Sequence, residues 1–236
     1  MFERNKISAV ILAGGSGTRM TGDIPKQYLE IGGKPILNYS VDAFESAGCI
    51  DEIILVVPPG KVEYCRQNIV ERGNYAKISK IVEGGATRQE SSLKGVLAAD
   101  SASDFVMIHD GARPFIQRDE IEKMAEKLAA SHAVIMAVPV KDTIKKISPA
   151  ETIEETLERK SLWAALTPQA FKRELIIEAH KYANEIGFQG TDDASLVEIM
   201  GKKVNILKGS YLNIKITTKE DMVFAEAILA HRRGKN

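Results

Sequence analysis

The stretch ISAVILAGGSGTRM, residues 7–20, sets a β-branched apolar run directly against a glycine-rich turn. A short, uniformly apolar run of this kind predicts a strand covered on both faces, as in a parallel sheet flanked by helices. Glycines after it let backbone N–H groups approach and wrap a phosphate, because no Cβ stands in the way. The carboxyl end of a parallel strand is also where open α/β sheets bind ligands. Two familiar glycine loops do not fit. The dinucleotide fingerprint needs a third glycine where Met20 stands, and the Walker pattern needs Gly-Lys followed by Ser or Thr.

Outward from this stretch, strands and helices alternate. Apolar residues Ile36, Leu37, Val41, Phe44 and Ala47 recur at helical spacing, ending near Gly48, and residues 53–57 form a second apolar strand. The pattern continues with helix 61–72, strand 78–82, helix 89–99, strand 105–109, helix 119–131 and strand 133–138. Helices are predicted at 173–185, 194–200 and 219–230, and strands at 203–207 and 212–217. Such alternation implies right-handed βαβ units on a doubly wound, mostly parallel Rossmann-like sheet. Residues 139–161 break the rhythm, being charged and poor in apolar content, and read equally as a protruding hairpin-like arm or a surface loop. The expected organisation is one domain over residues 1–236 with an arm at about 139–161.

Composition narrows the function classes. The chain has 236 residues, 44% hydrophobic and 27% charged, enough for a substantial core and unlike a disordered chain. Lys+Arg 32 balances Asp+Glu 32, so no broad basic field draws it to nucleic acid or an anionic membrane. No run approaches a membrane span, and the apolar residues after the basic start run into Gly14 and Gly15 without a signal-peptide cleavage pattern. Two cysteines, Cys49 and Cys65, exclude a disulfide framework or a four-cysteine zinc site and suit a reducing cytoplasm.

Three strand-end loops carry the candidate chemistry. In the first, Arg19 and Lys26 place cations beside the glycines, with Pro25 stiffening the chain, as suits charge developing on a transferring phosphoryl group. In the second, Gly84-Gly85-Ala86-Thr87-Arg88-Gln89-Glu90-Ser91 opens a helix and offers a frame for a base. In the third, His109-Asp110-Gly111-Ala112-Arg113-Pro114 puts an acid and a cation where a ribose, a polyol or a metal-bound phosphate can be held.

The run Leu12-Ala13-Gly14-Gly15, with Gly17-Thr18-Arg19-Met20 and Pro25-Lys26-Gln27, resembles the signature of sugar and alditol nucleotidyltransferases. Residues 109–114 narrow the resemblance, with Arg159 and Leu162-Trp163, Thr167-Pro168-Gln169, Thr191-Asp192-Asp193-Ala194-Ser195 and Asn213-Ile214-Lys215-Ile216-Thr217. From about residue 7 to the last helix the chain is similar to the 2-C-methyl-D-erythritol 4-phosphate cytidylyltransferase family of non-mevalonate isoprenoid biosynthesis. The resemblance implies CTP and 2-C-methyl-D-erythritol 4-phosphate as substrates, Mg²⁺ or another divalent cation, and a cytoplasmic homodimer joined through the arm.

Residue by residue, the resemblance implies CTP contacts at Ala13, Gly14, Gly15, Gly17, Gly85, Ala86, Ser91, Asp110 and Gly111. Arg19, Lys26 and Lys215 would be catalytic, facing phosphate, with Asp110 a candidate neighbour of the metal. Asp110, Arg113, Thr143, Arg159, Thr167, Thr191 and Lys215 would bind the acceptor, Thr143 and Arg159 reaching it from a second subunit. Gly14, Gly15 and Gly111 stand where this branch often has alanine, and Ala86 where it often has an acid, which leans toward ribitol-5-phosphate cytidylyltransferase. Residues 137–143 and 191–195 lean back to the isoprenoid branch. A nucleotide-binding regulatory module without catalysis is the alternative of a different class.

Other residues read as structural. His109 is expected to end a buried strand rather than to move protons. Trp163 is expected to pack beneath the pocket, and His132, His180 and His231 to sit at the surface or half-buried.

Overall fold

The computed structural model describes residues 5–14 and 25–234. After β1 (Ile7–Leu12) come the small hairpin β2–β3 (Glu30–Ile31, Lys34–Pro35), α1 (Ile36–Ser46) and β4 (Glu52–Val57). The helical run that follows is α2 (Val62–Cys65), a π-turn (Arg66–Val70) and α3 (Glu71–Gly73), then β5 (Ile78–Glu83), α4 (Arg88–Ala98) and β6 (Phe105–Asp110). Next are α5 (Arg118–Ser131), β7 (Ala133–Pro139), β8 (Lys145–Ile147), β9 (Ile153–Thr156) and β10 (Trp163–Lys172). The chain closes through α6 (Arg173–Glu185), α7 (Asp193–Ile199), β11 (Asn205–Lys208) and α8 (Lys219–Arg233).

The main sheet runs β11-β7-β10-β6-β1-β4-β5. All its pairs are parallel except those of β10 with β6 and β7. Strand β1 is central, with β4 on one side and β6 on the other, so its carboxyl end is the point where the winding reverses. Every residue of β1, β4 and β6 is buried, as helices on both faces require. Alternation splits β1 between two cores: Ile7, Ala9 and Ile11 face α1 and α5, and Val10 and Leu12 face α4, α6 and α7.

Helix α4 reaches the sheet because Gly95 has no side chain. A Cβ there would lie 2.3 Å from Val10 Cγ1 and 2.7 Å from Val56 Cγ2. Gly95→Ala gains roughly 1 kcal/mol of helix propensity but overpacks two fully buried valines, at a cost of about 1–3 kcal/mol. We expect a lower urea midpoint for this variant. An unchanged or higher midpoint would contradict the close approach.

Three sequence expectations need correction. Residues 212–217 are not a strand; they cross the end of β6 as irregular chain, tied by the Ile216 N–H to Ala112 O at 2.9 Å. Trp163 does not lie beneath a pocket but starts β10 opposite Pro139 and is exposed. His180 is buried on the inner face of α6, not at the surface. The strand β10 carries no plain strand signal in the sequence, since Pro168 interrupts it and its register shifts between Ala165 and Gln169. Residues 145–156 do pair as the two-stranded hairpin β8–β9.

Candidate functional site

The carboxyl ends of β1, β4, β5 and β6 open into a cleft of about 560 Å³. Ala13, Gly14, Lys26, Gly85, Ala86, Ser91, Asp110 and Lys215 line it, all expected from the sequence. Gln27, Thr87, Arg88 and Thr217, which the sequence offers within motifs but without a role of their own, also line it, as do Pro58 and Pro59. Gly15, Gly17 and Arg19 lie outside the described residues. The remaining expected residues stand back from the cleft. Gly111 is packed so closely that a Cβ would meet Leu37 Cδ1 at 2.7 Å, and Thr167 is buried at 3% exposure. Arg113 lies behind Asp110. Thr143 and Arg159 belong to the exposed arm region, where Arg159 Nη1 donates to Lys141 O.

Lys26 begins a single 3₁₀ turn, Lys26–Tyr28, entered through the extended Pro25. The next side chain, Gln27, is buried and donates Nε2 to Ala13 O, tying this turn to the end of β1. On the facing wall, α4 is capped by Thr87, whose Oγ1 accepts the Glu90 N–H at 3.1 Å. The Gly85 N–H is donated to Ser91 Oγ and the Ala86 N–H to Glu90 Oε2, at 3.0 and 2.8 Å. These donors are engaged within the loop, and two of its carbonyls are engaged as well: Gly84 O accepts from Lys94 Nζ at 2.8 Å and Thr87 O from Ser91 Oγ at 2.9 Å.

Asp110 is the electrostatic centre. Arg88 Nε donates to its Oδ1 at 3.2 Å and Lys215 Nζ to its Oδ2 at 2.7 Å, with Arg113 Nε 3.8 Å from Oδ2. Arg88 also donates Nη1 at 2.8 Å to Asp193, an acid fully buried at the start of α7. Three cations thus face two carboxylates, an excess that suits a polyanionic ligand. Burial alone pushes the Asp110 carboxyl up, but Arg88, Lys215 and Arg113 outweigh it and hold it well below the usual carboxylate range. The bridging role of Arg88 was not read from the sequence, because its partner Asp193 is 105 positions away.

Among the described residues, no three His, Cys, Asp or Glu side chains converge on a metal position. Asp110 is the carboxylate lining the cleft, and both its oxygens already have cationic partners. Among the described residues this donor set does not build a cation cage, and it leaves room for a divalent cation that arrives with a polyanionic ligand.

His109 is wholly buried beside Phe44, and burial pushes its pKa down to about 4; burial also lowers that of His180. Unfolded, each titrates near 6.5, so as pH falls the unfolded chain takes up protons first. The stability they contribute is complete above about pH 6.5 and is lost toward pH 4, with His109 alone costing about 2 kcal/mol by pH 5. Urea unfolding at pH 7 and pH 5 checks this, and His109→Gln should flatten the slope. A wild-type profile that is flat between those values would contradict it.

The described residues include no helix long and apolar enough to cross a membrane, and neither cysteine is in a disulfide. A family model described as 2-C-methyl-D-erythritol 4-phosphate cytidylyltransferase matches residues 7–231. The protein of that name from Caldanaerobacter subterraneus subsp. tengcongensis is 47% identical over 223 residues, covering 94% of this chain and 98% of the relative. The one from Geotalea uraniireducens is 44% identical over 226 residues, covering 95% and 97%. The crystal structure of 4-diphosphocytidyl-2C-methyl-D-erythritol synthase from Anaerococcus prevotii superposes with a TM-score of 0.85 at 36% identity, over 96% of each chain.

Proposed function

The chain belongs to the 2-C-methyl-D-erythritol 4-phosphate cytidylyltransferase family, and from that premise we propose that the cleft at the end of β1 is where its reaction takes place. The enzyme joins CTP and 2-C-methyl-D-erythritol 4-phosphate into 4-diphosphocytidyl-2-C-methyl-D-erythritol and pyrophosphate, a step of non-mevalonate isoprenoid biosynthesis. The observation that carries the placement is the convergence of Lys26, Lys215, Asp110 and two strand-end loops, at Ala13–Gly14 and Gly85–Ala86, on one cleft.

In this reading the cytosine lies against Ala13, Gly14, Gly85, Ala86 and Ser91, and the triphosphate points toward Lys26. The acceptor lies near Asp110, Arg113 and Lys215. An oxygen of its phosphate attacks the α-phosphorus in line, the bond from that phosphorus to the β-phosphate bridge breaks, and the electron pair leaves with pyrophosphate. The attacking phosphate is already largely ionised near neutral pH, its second pKa being about 6, so no general base is needed. His109, sealed from the cleft, is not asked to act as one. The main obstacle is bringing two polyanions together, which cations held in place by Asp110 and Asp193 overcome by positioning and charge neutralisation. Mg²⁺ bound to the triphosphate would spread the charge that develops on its oxygens.

Of the glycines that depart from the family's usual residues, Gly14 and Gly111 lie among the described residues, and a Cβ at Gly111 would stand 2.7 Å from Leu37 Cδ1. A Cβ at Gly14 would make only an ordinary 3.6 Å contact with Ser91 Oγ, so glycine there is tolerated, not required. We further read the whole chain as one catalytic domain working in the cytoplasm, with the arm binding a second copy. Support for the arm comes from Ile147 and Ile153, which its hairpin leaves 57% and 64% exposed. In a homodimer Thr143 and Arg159 would reach the partner's acceptor.

The test is product chemistry. Incubation with CTP, Mg²⁺ and 2-C-methyl-D-erythritol 4-phosphate should convert the acceptor's phosphorus resonance into the coupled pair of a mixed diphosphate, with one pyrophosphate released per product. Formation of CDP or CMP without the mixed diphosphate would overturn the reading.

A further inference from the structure

Four polar residues close a ring directly behind the cleft. His109 Nε2 lies 3.1 Å from Arg113 O, a carbonyl that can only accept, so Nε2 carries the proton and donates. Arg113 Nη1 donates to Asn213 O at 2.9 Å, and Asn213 Nδ2 donates to Thr167 O at 2.9 Å. The ring closes at Thr167 Oγ1, 3.0 Å from His109 Nδ1, where the hydroxyl donates because Nδ1 of this tautomer can only accept. The same Oγ1 accepts the Asp110 N–H at 3.0 Å. His109, Thr167 and Asn213 are each at most 3% exposed.

The ring ties together three segments distant in sequence: the end of β6, the register shift in β10 and the irregular chain 213–217. The end of β6 and the chain 213–217 present groups to the acceptor half of the site, and β10 supports one of them from behind. Asp110 hangs on Thr167, Arg113 is itself a member, and Lys215 is two residues beyond Asn213. The nucleotide half of the cleft, at Ala13, Gly14, Lys26, Gly85 and Ser91, makes none of the four bonds. Asn213 is also poorly explained by stability. Its Oδ1 is buried without a hydrogen-bond partner, a cost that an apolar side chain of similar size would not carry.

We propose that this ring positions the acceptor-binding groups, and that His109 and Asn213 are positioning residues for the transfer reaction, a proposal that rests on the function assigned above. Neither touches substrate. Each acts by holding Asp110, Arg113 and Lys215 in register, where a misplacement of about 1 Å can cost about 10²-fold in rate.

The experiment compares Asn213→Leu, His109→Gln and His109→Phe with the wild-type enzyme by steady-state kinetics, CTP calorimetry and thermal unfolding. For Asn213→Leu, kcat/KM for the acceptor should fall about 10²-fold while the Kd for CTP moves less than about threefold. His109→Gln, which keeps an N–H for the Arg113 carbonyl, should retain about tenfold more activity than His109→Phe. Wild-type acceptor kcat/KM in folded Asn213→Leu would overturn the proposal, as would equal losses in acceptor and CTP parameters. Should Asn213→Leu fail to fold, equal activity of the two His109 variants would overturn it. A failure of the assigned function shows in the wild-type enzyme, which would then not turn over; a failure of the ring shows only in the variants.

Discussion

Lys26→Ala is expected to lower kcat by about 10²–10³, the loss seen when one preorganised donor to a developing charge is removed. Lys26 enters the cleft from a turn that Gln27 anchors to Ala13 O and that Pro25 enters in an extended conformation. Its backbone is thus anchored to the end of β1 through Gln27, so little reorganisation is expected as charge moves onto the leaving pyrophosphate. CTP affinity should weaken far less than turnover, since the wall proposed to hold the cytosine, at Ala13, Gly14, Gly85 and Ala86, is a separate part of the cleft. A Lys26→Ala enzyme retaining near-full kcat would show that charge neutralisation is supplied elsewhere.

Asp110→Asn should damage both stability and catalysis. The side chain is 10% exposed and lies among Arg88, Lys215 and Arg113, so an uncharged amide leaves three cations to repel one another. Removing one partner of such a buried cluster costs about 3 kcal/mol, readable as a lower urea midpoint at pH 7. The pH dependence separates the charge from the shape. Because the folded carboxyl is held below its unfolded value near 3.9, its contribution is present above about pH 4 and is lost as pH falls further. The asparagine variant should therefore lose less stability than the wild type in that acid range. An unchanged midpoint at pH 7, with an unchanged KM for the acceptor, would contradict a central role for Asp110.

Much of this site was legible because strand-end chemistry is local. The apolar run of β1, its glycines and the short stretches around Gly85 and Asp110 each carry their own signal, and parallel topology brings their ends together. What stayed hidden depends on contacts between distant segments. Arg88 reads only as a member of the loop that frames a base until folding sets it between Asp110 and Asp193. His180 reads as an isolated polar residue until α6 turns it inward near Asp193, 3.9 Å away. Asn213 and Lys215 suggested a strand through their alternation with Ile214 and Ile216, yet tertiary packing overrode that local preference. Ile216 joins Phe115 and α8 in a small third core, while Lys215 turns to Asp110 at the end of β6 and Asn213 to Thr167 in β10. Strand β10 failed to register because Thr167-Pro168 looks like a break, whereas the fold uses it to bring Thr167 beneath Asp110.

If the cleft at the end of β1 is the site of transfer, its acceptor is a branched four-carbon polyol phosphate. The most direct test is to measure pyrophosphate release with CTP and Mg²⁺, offering 2-C-methyl-D-erythritol 4-phosphate and D-ribitol 5-phosphate separately. Turnover is expected with the first, and a kcat/KM lower by about 10²-fold or more with the second, since the wrong acceptor misplaces its phosphate. Equal or faster turnover with ribitol 5-phosphate would contradict it, and so would a folded protein that binds CTP and releases pyrophosphate with neither.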